Sequence, residues 1–328
     1  MQKAAPAARP APRAALRSWT PDGARAPIER FIGEVSELTS PLFVVPADRI
    51  AVFDHDGTLW SEQPHSFQVL FALDFALTEL GRAEGDALPD WASRPWAEKL
   101  AKRGRTALSE LTPEDLGELL SASQADVTPE DYSARVRSWL ELAQHPRFER
   151  RYTELSFQPM LELLAVLREH GFSTYIVCGA EAAFMRVFAN VVYGVPPERV
   201  IGSTRSLHYE LEEGVGILRF LAPLESLNDG AEKPKSIQSH IGKRPILAIG
   251  NSDGDREMLQ FSTLGRPGTL GVLVRHDDEV REWAYDRAAN IGKLDVALDE
   301  AEAAGWLVVS MKHDFSRIYP FESAPAGP

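Results

Sequence analysis

The chain is predicted to be an α/β protein, with a parallel β-sheet between layers of helices and a long helical insertion after the first strand. Short apolar segments alternate with amphipathic segments through most of the sequence, a pattern typical of parallel strands buried on both faces. Residues 55–172 separate the first two predicted strands, whereas a complete strand–helix–strand unit takes about 30 residues. This excess length predicts an inserted segment.

Six strands are predicted from the apolar segments. They cover residues 50–54, 173–178, 200–203, 245–250, 271–275 and 306–310. Residues 160–170 predict a helix, because Met160, Leu163 and Leu167 share one side and Gly171 can end it. Helices of this kind between the strands would cover the sheet.

The insertion itself is predicted to be helical, and a hairpin is predicted later in the chain. The sequence Thr-Pro-Glu-Asp occurs at residues 112–115 and 128–131, where each copy offers a capping hydroxyl, a proline at the first helical position and acids in the first turn. Residues 207–221 alternate around Glu213 and Gly214, which indicates a small β-hairpin, with a helix as the alternative.

The composition indicates a globular protein and limits its partners. Of the 328 residues, 44% are hydrophobic and 25% are charged, which excludes a disordered or collagen-like chain. A net charge of -13 argues against nonspecific binding to nucleic acid or to an anionic membrane, since both would be repelled. The single cysteine, Cys178, excludes an internal disulfide and a multi-cysteine zinc site.

Residues 1–18 predict a flexible, uncleaved N-terminal arm. They contain four cations, three prolines and no acid. They lack the uninterrupted apolar stretch of about 7 to 15 residues that a secretory signal needs. No segment reaches the length of about 20 apolar residues that a membrane span needs. The expected location is therefore the cytoplasm.

Two aspartates follow the first predicted strand. Ligands of parallel sheets bind at the carboxyl ends of strands, so Asp54 and Asp56 are expected to project into a site. Two carboxylates about 4 Å apart repel by about 4 kcal/mol at an effective dielectric of about 20, so a divalent cation or a shared proton is needed. Mg²⁺ prefers such hard oxygen ligands, and a carboxylate can act as a nucleophile toward phosphorus. The alternative is a solvated turn.

Three later segments are expected at the same edge of the sheet. Residues 177–180 end the second strand and are predicted to open a helix, so the backbone N–H groups of Gly179 and Ala180 can face an anion. Lys233 follows a loop and precedes a helix. Residues 250–255, the sequence GNSDGD, follow the fourth strand with several oxygen ligands. Each segment taken alone is weak evidence for a site. The order of the segments along the chain is what indicates a shared site.

In these motifs the chain resembles the haloacid dehalogenase superfamily of phosphohydrolases, and more narrowly the bacterial hydrolases similar to phosphoserine phosphatase. The resemblance spans residues 19–321 and rests on FDHDGTLW (53–60), YIVCG (175–179), Lys233 and GNSDGD (250–255) in the family's order. It implies a Rossmann-like three-layer core with an inserted helical cap domain. The expected boundaries are residues 19–59 and 157–322 for the core, 60–156 for the cap, 1–18 for the flexible arm and 323–328 for a flexible tail.

The resemblance also implies a role for each motif residue. Asp54 would attack phosphorus in line, and Asp56 would protonate the leaving oxygen and then activate water. Lys233 would neutralise the nucleophile and the phosphoryl oxygens. Thr58 would support the loop that carries Asp56, close to the bound phosphate. The expected magnesium ligands are the Asp54 side chain, the Asp56 carbonyl, Asn251 and Asp255.

Two residues depart from the family's pattern. Cys178 stands where a Ser or Thr hydroxyl normally binds the phosphoryl group, and a thiol is a weak donor. Cys178 either weakens catalysis or is a small buried hydrophobe beside backbone N–H groups that bind the phosphate. Asn251 stands at the usual place of an acid, so metal affinity is expected to fall unless Asp253 or Asp255 compensates.

Other residues near the motifs have less specific interpretations. Trp60 and Glu62 begin the insertion and are predicted to line the substrate pocket, although Trp60 can equally pack as a hinge residue. Alternation along an extended segment points His55 away from both aspartates, as a packing residue. His276 and the acids after it are predicted to cap the next helix.

Together these features predict a magnesium-dependent phosphatase that hydrolyses a small-molecule phosphomonoester through an aspartyl-phosphate. A dehalogenase is disfavoured, because a halide leaves without a proton and Asp56 would have no role. The alternatives are a phosphotransferase or phosphomutase on the same scaffold, and a non-catalytic protein that binds a phosphorylated metabolite or a protein partner. The expected partner is a small phosphorylated metabolite, without nucleic acid or membrane. Neither the natural substrate nor the oligomeric state is predicted.

Overall fold

The computed structural model describes residues 15–82 and 88–323. Most of the predicted tail and most of the predicted arm lie outside these residues. The boundary of the arm needs correction, because Leu16 is buried and the backbone N–H of Ser18 donates to Glu162 Oε2 at 2.8 Å. Packing against the rest of the protein therefore begins before residue 18.

A central β-sheet confirms the predicted fold class. The strands within the described residues are β1 (Ile50–Phe53), β2 (Gln144–His145), β3 (Arg150–Arg151), β4 (Ser173–Glu181), β5 (Val200–Glu212), β6 (Val215–Ser226), β7 (Leu247–Gly250), β8 (Leu270–Asp277), β9 (Ala284–Tyr285) and β10 (Leu307–Ser310). The sheet has the order β10-β8-β7-β1-β4-β5-β6, with β9 paired to β8, while β2 and β3 form a separate pair. The pairs from β10 to β5 are parallel. All six predicted strands are present.

Alternate residues of β1 face two different apolar cores. Ala51 and Phe53 belong to one cluster of buried side chains, and Ile50 and Val52 belong to the other. A parallel strand that is buried on both faces requires a helical layer on each side of the sheet. This arrangement is the predicted α/β architecture, with β1 at its centre.

Helices cover both faces of the sheet and fill the insertion. They are α1 (Arg25–Ser36), α2 (Phe67–Arg82), α3 (Pro95–Arg103), α4 (Pro113–Ala122), α5 (Pro129–Leu142), α6 (Gln158–Glu169), α7 (Ala182–Met185), α8 (Ala189–Tyr193), α9 (Glu232–Ile241), α10 (Arg256–Thr263), α11 (Val296–Ala304) and α12 (Met311–Asp314). The predicted helix at 160–170 is α6, and Gly171 follows it with a φ of 74°. None of the described helices has the length and apolar character needed to cross a membrane.

The helices α2 to α5 lie in the insertion between β1 and β4. Thr112 Oγ1 accepts a hydrogen bond from the backbone N–H of Asp115 at 3.1 Å, and the Asp115 carboxylate accepts one from the Thr112 N–H at 3.0 Å. Thr128 Oγ1 caps α5 by accepting a hydrogen bond from the backbone N–H of Asp131 at 3.1 Å, and it donates to Asp131 Oδ2 at 2.8 Å. The helical insertion and both predicted caps are confirmed.

The strands β5 and β6 form a long hairpin that reaches the insertion. Glu213 and Gly214 at its tip have φ values of 49° and 84°, as a two-residue hairpin turn requires. The backbone N–H of Asp126 donates to Phe220 O at 2.9 Å, and the N–H of Phe220 donates to Val127 O at 3.0 Å. The predicted hairpin is confirmed, and its strands are longer than predicted because β5 continues from the sheet to the insertion.

Candidate active site

Asp54, Lys233 and Asp255 form a buried charge cluster at the carboxyl end of β1. Asp54 follows β1 directly, and its backbone N–H donates to Ile249 O of the neighbouring β7 at 2.8 Å. Lys233 Nζ donates to Asp54 Oδ1 at 2.7 Å and to Asp255 Oδ1 at 2.6 Å. All three side chains are at most 7% exposed. Residues distant in sequence meet here because β1 and β7 are neighbours in the sheet.

The cluster carries one net negative charge when both carboxylates are ionised. Burial raises the pKa of Asp54, and repulsion from Asp255 raises it further, against the attraction of Lys233. Burial lowers the pKa of Lys233, but the charges of Asp255 and Asp54 outweigh burial and hold that pKa well above its usual range. Lys233 is therefore protonated at neutral pH, and a further cation near Asp54 would relieve the remaining repulsion.

Asp56 lies beside this cluster and accepts hydrogen bonds from the insertion. Trp60 Nε1 donates to Asp56 Oδ1 at 2.6 Å, and Ser66 Oγ donates to Oδ2 at 3.1 Å. Burial raises the pKa of Asp56, but the hydrogen bond and charge of His55 and the bonds from Trp60 and Ser66 bring that pKa below its usual value. Asp56 is therefore ionised and held in one orientation in the absence of substrate.

His55 packs among aromatic rings behind Asp56. Its ring centroid lies 4.4 Å from that of Trp60, and its Nε2 lies 3.1 Å from the Tyr193 hydroxyl. Burial agrees with the predicted packing role. The prediction that His55 points away from both aspartates is wrong, because its Nδ1 lies 3.3 Å from Asp56 Oδ1. The chain turns here instead of remaining extended, with the Leu59 N–H donating to His55 O at 2.8 Å.

Trp60 lies in the core and not on a pocket wall. Its side chain is 1% exposed, and its ring stacks on Phe188 at a centroid distance of 4.8 Å. Of the two sequence interpretations, packing in the core is the one observed. Its indole N–H nevertheless reaches Asp56, so Trp60 links the aromatic core to the site.

The turn from Asp56 to Thr58 packs tightly against Asn251. Gly57 has a φ of 71°, and a Cβ at this position would collide with Asn251 Nδ2 and Glu62 Oε1. Thr58 is fully buried, and its Oγ1 donates to Asn251 Oδ1 at 3.0 Å. Thr58 therefore supports the loop, and it lies too deep to contact a ligand in the cavity.

Of the two acids that could compensate for Asn251, only Asp255 faces the charge cluster. Asp255 Oδ2 accepts the backbone N–H groups of residues 251 and 252 at 3.0 and 3.1 Å, while its Oδ1 faces Lys233. Asp253 Oδ1 instead accepts two backbone N–H groups at the start of α11, at 3.0 and 2.9 Å. Asp253 therefore caps a helix.

A second buried network is centred on Glu62. Glu62 Oε1 accepts hydrogen bonds from Asn251 Nδ2 and from the Tyr285 hydroxyl, both at 2.8 Å. Burial raises the pKa of Glu62 to about 7, against the opposing effect of the His276 charge. Both ends of the Asn251 amide are thus engaged, one by Thr58 and the other by Glu62.

His276 is a site residue that the sequence analysis misassigned. It was predicted to cap a helix, but β8 runs on to Asp277 and the next described element is β9. His276 Nε2 donates to Gly57 O at 2.7 Å, and its Nδ1 lies 3.0 Å from Glu282 Oε2. Burial lowers the pKa of His276, but the charge and hydrogen bond of Glu282 outweigh burial and raise it. The sequence feature that could have identified His276 as a site residue is its position as a polar residue at the end of an apolar strand.

The segment around Cys178 differs from the prediction. β4 continues to Glu181, so the helix predicted to open at residues 179 and 180 is absent there, and the short α7 begins at Ala182. The segment stays extended because Ser203 Oγ of β5 donates to Gly179 O at 2.6 Å. The Ala180 N–H donates to Cys178 Sγ at 3.3 Å and is therefore not free for an anion. Burial raises the pKa of Cys178, and the charges of Asp54 and Asp56 raise it further, so the thiol is neutral.

A cavity of about 800 Å³ opens over the charge cluster, between the sheet edge, the insertion and the hairpin. Seven predicted site residues line it: Asp54, Asp56, Glu62, Cys178, Gly179, Ala180 and Lys233. The other four, Thr58, Trp60, Asn251 and Asp255, are buried behind its wall. The cavity is large enough for a ligand of drug-like size.

The oxygen atoms at this end of the cavity suit a magnesium ion that a phosphate helps to hold. Within the described residues, no three side chains of His, Cys, Asp or Glu form a metal site by themselves. Among the described residues, Asp54 Oδ2 has no hydrogen-bond partner. Asn251 Oδ1 accepts a hydrogen bond from Thr58 and keeps a second lone pair. Mg²⁺ is commonly held by one or two carboxylates together with waters and phosphate oxygens. The donor set therefore fits Mg²⁺.

Comparisons with known proteins place the chain in a family. Residues 51–260 match the family described as haloacid dehalogenase-like hydrolase. No curated protein matches the chain. Among solved structures, the chain is similar to a functionally unknown protein from Anaerococcus prevotii, with 15% identity, a TM-score of 0.49 and coverage of 85% of this chain and 88% of that one.

The chain is also similar to two further solved structures. A protein of unknown function from Bordetella pertussis has 19% identity and a TM-score of 0.46, with coverage of 80% of this chain and 97% of that one. A probable phosphoserine phosphatase from Vibrio cholerae has 16% identity and a TM-score of 0.36, with coverage of 80% and 69%. The family match spans well over half of the sequence and includes both aspartates, Lys233 and the loop at 250–255. The chain belongs to the haloacid dehalogenase-like hydrolase family.

Proposed function

We propose that the protein is a magnesium-dependent phosphomonoesterase that works through a phosphorylated Asp54. The observation that carries this proposal is the position of Asp54. It is a buried carboxylate that lies at the end of the central strand, lines a large cavity and contacts a single protonated lysine. A hydrolase with this arrangement has a nucleophile and a cation at one point, which is what transfer of a phosphoryl group requires.

In the first step Asp54 Oδ2 forms a bond to phosphorus while the bond from phosphorus to the leaving oxygen breaks. Lys233 faces the other oxygen of the same carboxylate, so it stabilises negative charge that collects on the transferring group. Asp56 donates the proton that the leaving alkoxide needs. The approaching phosphate is anionic, and its charge raises the pKa of Asp56 toward the range in which the carboxyl is protonated.

In the second step water attacks phosphorus, and Asp56 accepts its proton. The hydrogen bonds from Trp60 and Ser66 hold the Asp56 carboxylate in place for this role. Phosphate leaves, and Asp54 is regenerated. Because Asp56 gives a proton in one step and takes one in the next, a single carboxylate serves both.

Asp54, the Asp56 carbonyl, Asn251 and Asp255 would hold the magnesium ion, and Asp255 would also maintain the position of Lys233 beside them. When bound, Mg²⁺ would neutralise phosphate oxygens and help to orient the ester. Thr58 and Glu62 orient the Asn251 amide from opposite ends. His276 holds the carbonyl of Gly57 in the turn that carries Asp56.

We assign residues 60–156 as a cap domain and residues 19–59 and 157–322 as the core, to which the buried Leu16 and Ser18 also belong. The cap forms one wall of the cavity through α2 and α4, while the core contributes the charge cluster and the hairpin. The backbone bonds between Phe220 and residues 126–127 connect the hairpin to the cap. The hairpin is therefore tied to both units, because β5 also pairs with β4 of the sheet.

Removal of the metal tests the proposal. Release of p-nitrophenol from p-nitrophenyl phosphate is expected to require Mg²⁺. The positive charge of Lys233 alone does not balance the negative charges of Asp54, Asp255 and the bound phosphate. The protein is treated with a chelator and then supplied with excess Mg²⁺, and absorbance is followed in both states. Activity should fall to background with the chelator and return with Mg²⁺. Equal release in all samples, or no release in any, would contradict the proposal.

A second prediction concerns the thiol on the cavity wall. Replacing Cys178 by Ser is expected to raise kcat/KM about tenfold, since a hydroxyl donates a much stronger hydrogen bond to a charged phosphoryl oxygen than a thiol does. Thermal melting of the variant, compared with that of the original protein, checks that folding is intact. An unchanged kcat/KM in a normally folded variant would mean that Cys178 only fills space.

A further inference from the structure

Asn251 stands at a proposed metal position without a charge of its own. Its Oδ1 is a neutral oxygen, and the affinity of a site for a divalent cation rises with the number of charged ligands. Asp253 is used to cap α11. Asp255 directs Oδ1 to Lys233 and Oδ2 to two backbone N–H groups. Neither of these acids therefore replaces the charge that is missing at Asn251.

Glu62 is a buried carboxylate in direct contact with the Asn251 amide. Its Oε1 accepts hydrogen bonds from Asn251 Nδ2 and from the Tyr285 hydroxyl, both at 2.8 Å, and the residue is 4% exposed. Two donors on one oxygen suit an ionised carboxylate, because that group only accepts. A hydrogen bond to a charged acceptor is about twice as strong as one between neutral groups. The contact therefore brings a negative charge within one hydrogen bond of Asn251.

The backbone leaves room for the Glu62 carboxylate on two sides. A Cβ on Gly57 or on Gly292 would collide with Glu62 Oε1. Gly57 belongs to the turn that carries Asp56, and Gly292 belongs to the segment before α11. Glycine at both positions lets two distant parts of the chain approach the carboxylate closely. These approaches confine Glu62 beside the Asn251 amide.

The charge of Glu62 is not cancelled by the groups that bind it. Within the described residues, both hydrogen bonds that Glu62 accepts come from uncharged side chains. His276 is a nearby cation, but its Nδ1 lies 3.0 Å from Glu282 Oε2 and its Nε2 donates to Gly57 O. A divalent cation at Asn251 Oδ1 would therefore be attracted by the buried charge of Glu62.

We propose that Glu62 is a positioning residue that supplies, through Asn251, the negative charge that the magnesium site lacks at this position. Glu62 would keep the Nδ2 end of the amide on itself, so that Oδ1 is the atom available to the ion. The pair of Glu62 and Asn251 would thus replace a single carboxylate. This inference rests on the proposed magnesium-dependent function and makes its metal site more specific.

Binding of Mg²⁺ alone tests the inference without turnover. The melting temperature of the full chain is measured over a series of Mg²⁺ concentrations at constant ionic strength, and its rise gives the dissociation constant. The pH is about 8.5, above the pKa of about 7 to which burial raises Glu62. Glu62→Gln keeps the size of the side chain and an oxygen that can accept from Asn251. It is expected to weaken Mg²⁺ binding about tenfold to 100-fold, as loss of a group that holds a metal ligand typically does. An unchanged dissociation constant would overturn the inference.

A double variant moves the charge from one member of the pair to the other. Glu62→Gln combined with Asn251→Asp places a carboxylate at the metal position and an amide behind it, with the hydrogen bond between them reversed. The dissociation constant for Mg²⁺ is expected to return to the original value or to fall below it. A folded double variant that binds Mg²⁺ as weakly as Glu62→Gln would overturn the inference. The double variant also carries the test by itself if Glu62→Gln does not fold.

Glu162→Gln is the matched control for the loss of one charge. Glu162 is partly buried in α6, where it accepts hydrogen bonds from Ser18 and Gln158. Among the described residues that line the cavity, Glu162 is not included. Its substitution should leave the dissociation constant for Mg²⁺ unchanged. A loss of Mg²⁺ binding equal to that of Glu62→Gln would mean that overall charge, and not the contact with Asn251, sets the affinity, which overturns the inference.

The two proposals fail in different ways. If Mg²⁺ does not stabilise the original protein and p-nitrophenyl phosphate is not hydrolysed with Mg²⁺, the proposed function fails. If Mg²⁺ stabilises the original protein and Glu62→Gln to the same extent, only the role of Glu62 fails. The concentration of Mg²⁺ that gives half-maximal release of p-nitrophenol should rise in Glu62→Gln by the same factor as the dissociation constant.

Discussion

Replacing Asp54 by Asn is expected to lower kcat with p-nitrophenyl phosphate by about 10⁴-fold or more, as loss of a nucleophile does in other hydrolases. The amide keeps the shape of the side chain but cannot form the bond to phosphorus. Steady-state absorbance measures the loss. Intact-protein mass spectrometry of acid-quenched reactions should show an added phosphate in the original protein and none in Asp54→Asn.

The same substitution is not expected to unfold the protein. Burial and repulsion raise the pKa of Asp54 in the folded state, so ionisation of this group opposes folding as the pH rises through that pKa. A neutral amide removes this cost, and the melting temperature at pH 7.5 should be equal or higher. Asp22→Asn, at an exposed position, is the control and should leave activity unchanged. Activity of Asp54→Asn within tenfold of the original would exclude Asp54 as the nucleophile.

Replacing Lys233 by Met is expected to remove both activity and much of the stability. The substitution leaves Asp54 and Asp255 buried and facing each other without a cation. Removing one partner of a buried ion pair typically costs about 3 to 5 kcal/mol of the free energy of unfolding. Urea denaturation at pH 7.5 measures the loss, and the p-nitrophenyl phosphate assay measures activity.

The stability of the Lys233→Met variant is expected to increase as the pH falls. Without Lys233, repulsion raises the pKa of a buried carboxyl further, so protonation as the pH falls should restore stability. Added Mg²⁺ should also restore part of it by replacing the missing charge. Lys235→Met is the matched control, because Lys235 lies in the same helix, is 66% exposed and pairs with Glu232. A Lys233→Met variant as stable as Lys235→Met at pH 7.5 would refute the electrostatic account of the cluster.

The architecture was readable from the sequence because it depends on local patterns. The six apolar segments became strands since most of their side chains are buried between helices, and the Thr-Pro-Glu-Asp sequences became helix starts since the capping bonds form within four residues. The hairpin turn at Glu213 and Gly214 is equally local. The positions of Asp54 and Lys233 at one edge also follow from strand order.

Other features of the site depend on contacts between distant segments. His276 reaches the carbonyl of Gly57 from the end of β8, and Glu62 reaches Asn251 across the site. The local sequence after Cys178 predicts a helix, but pairing with β5 keeps β4 extended to Glu181. Local propensity could not reveal this, because the extra strand residues are stabilised by a partner strand.

The order of apolar and polar residues therefore predicted a parallel sheet with a helical insertion, and the order of the motifs along the chain predicted that Asp54, Asp56 and Lys233 lie at its edge. Only the tertiary structure decided which polar groups are already paired. Arg205 is bound to Glu181, Asp253 caps α11, and the Ala180 N–H is used by Cys178 Sγ. A hydrogen bond between distant residues depends on their separation in space and on burial, which no local pattern records. Whether a buried polar group has a partner is consequently visible only in the folded chain.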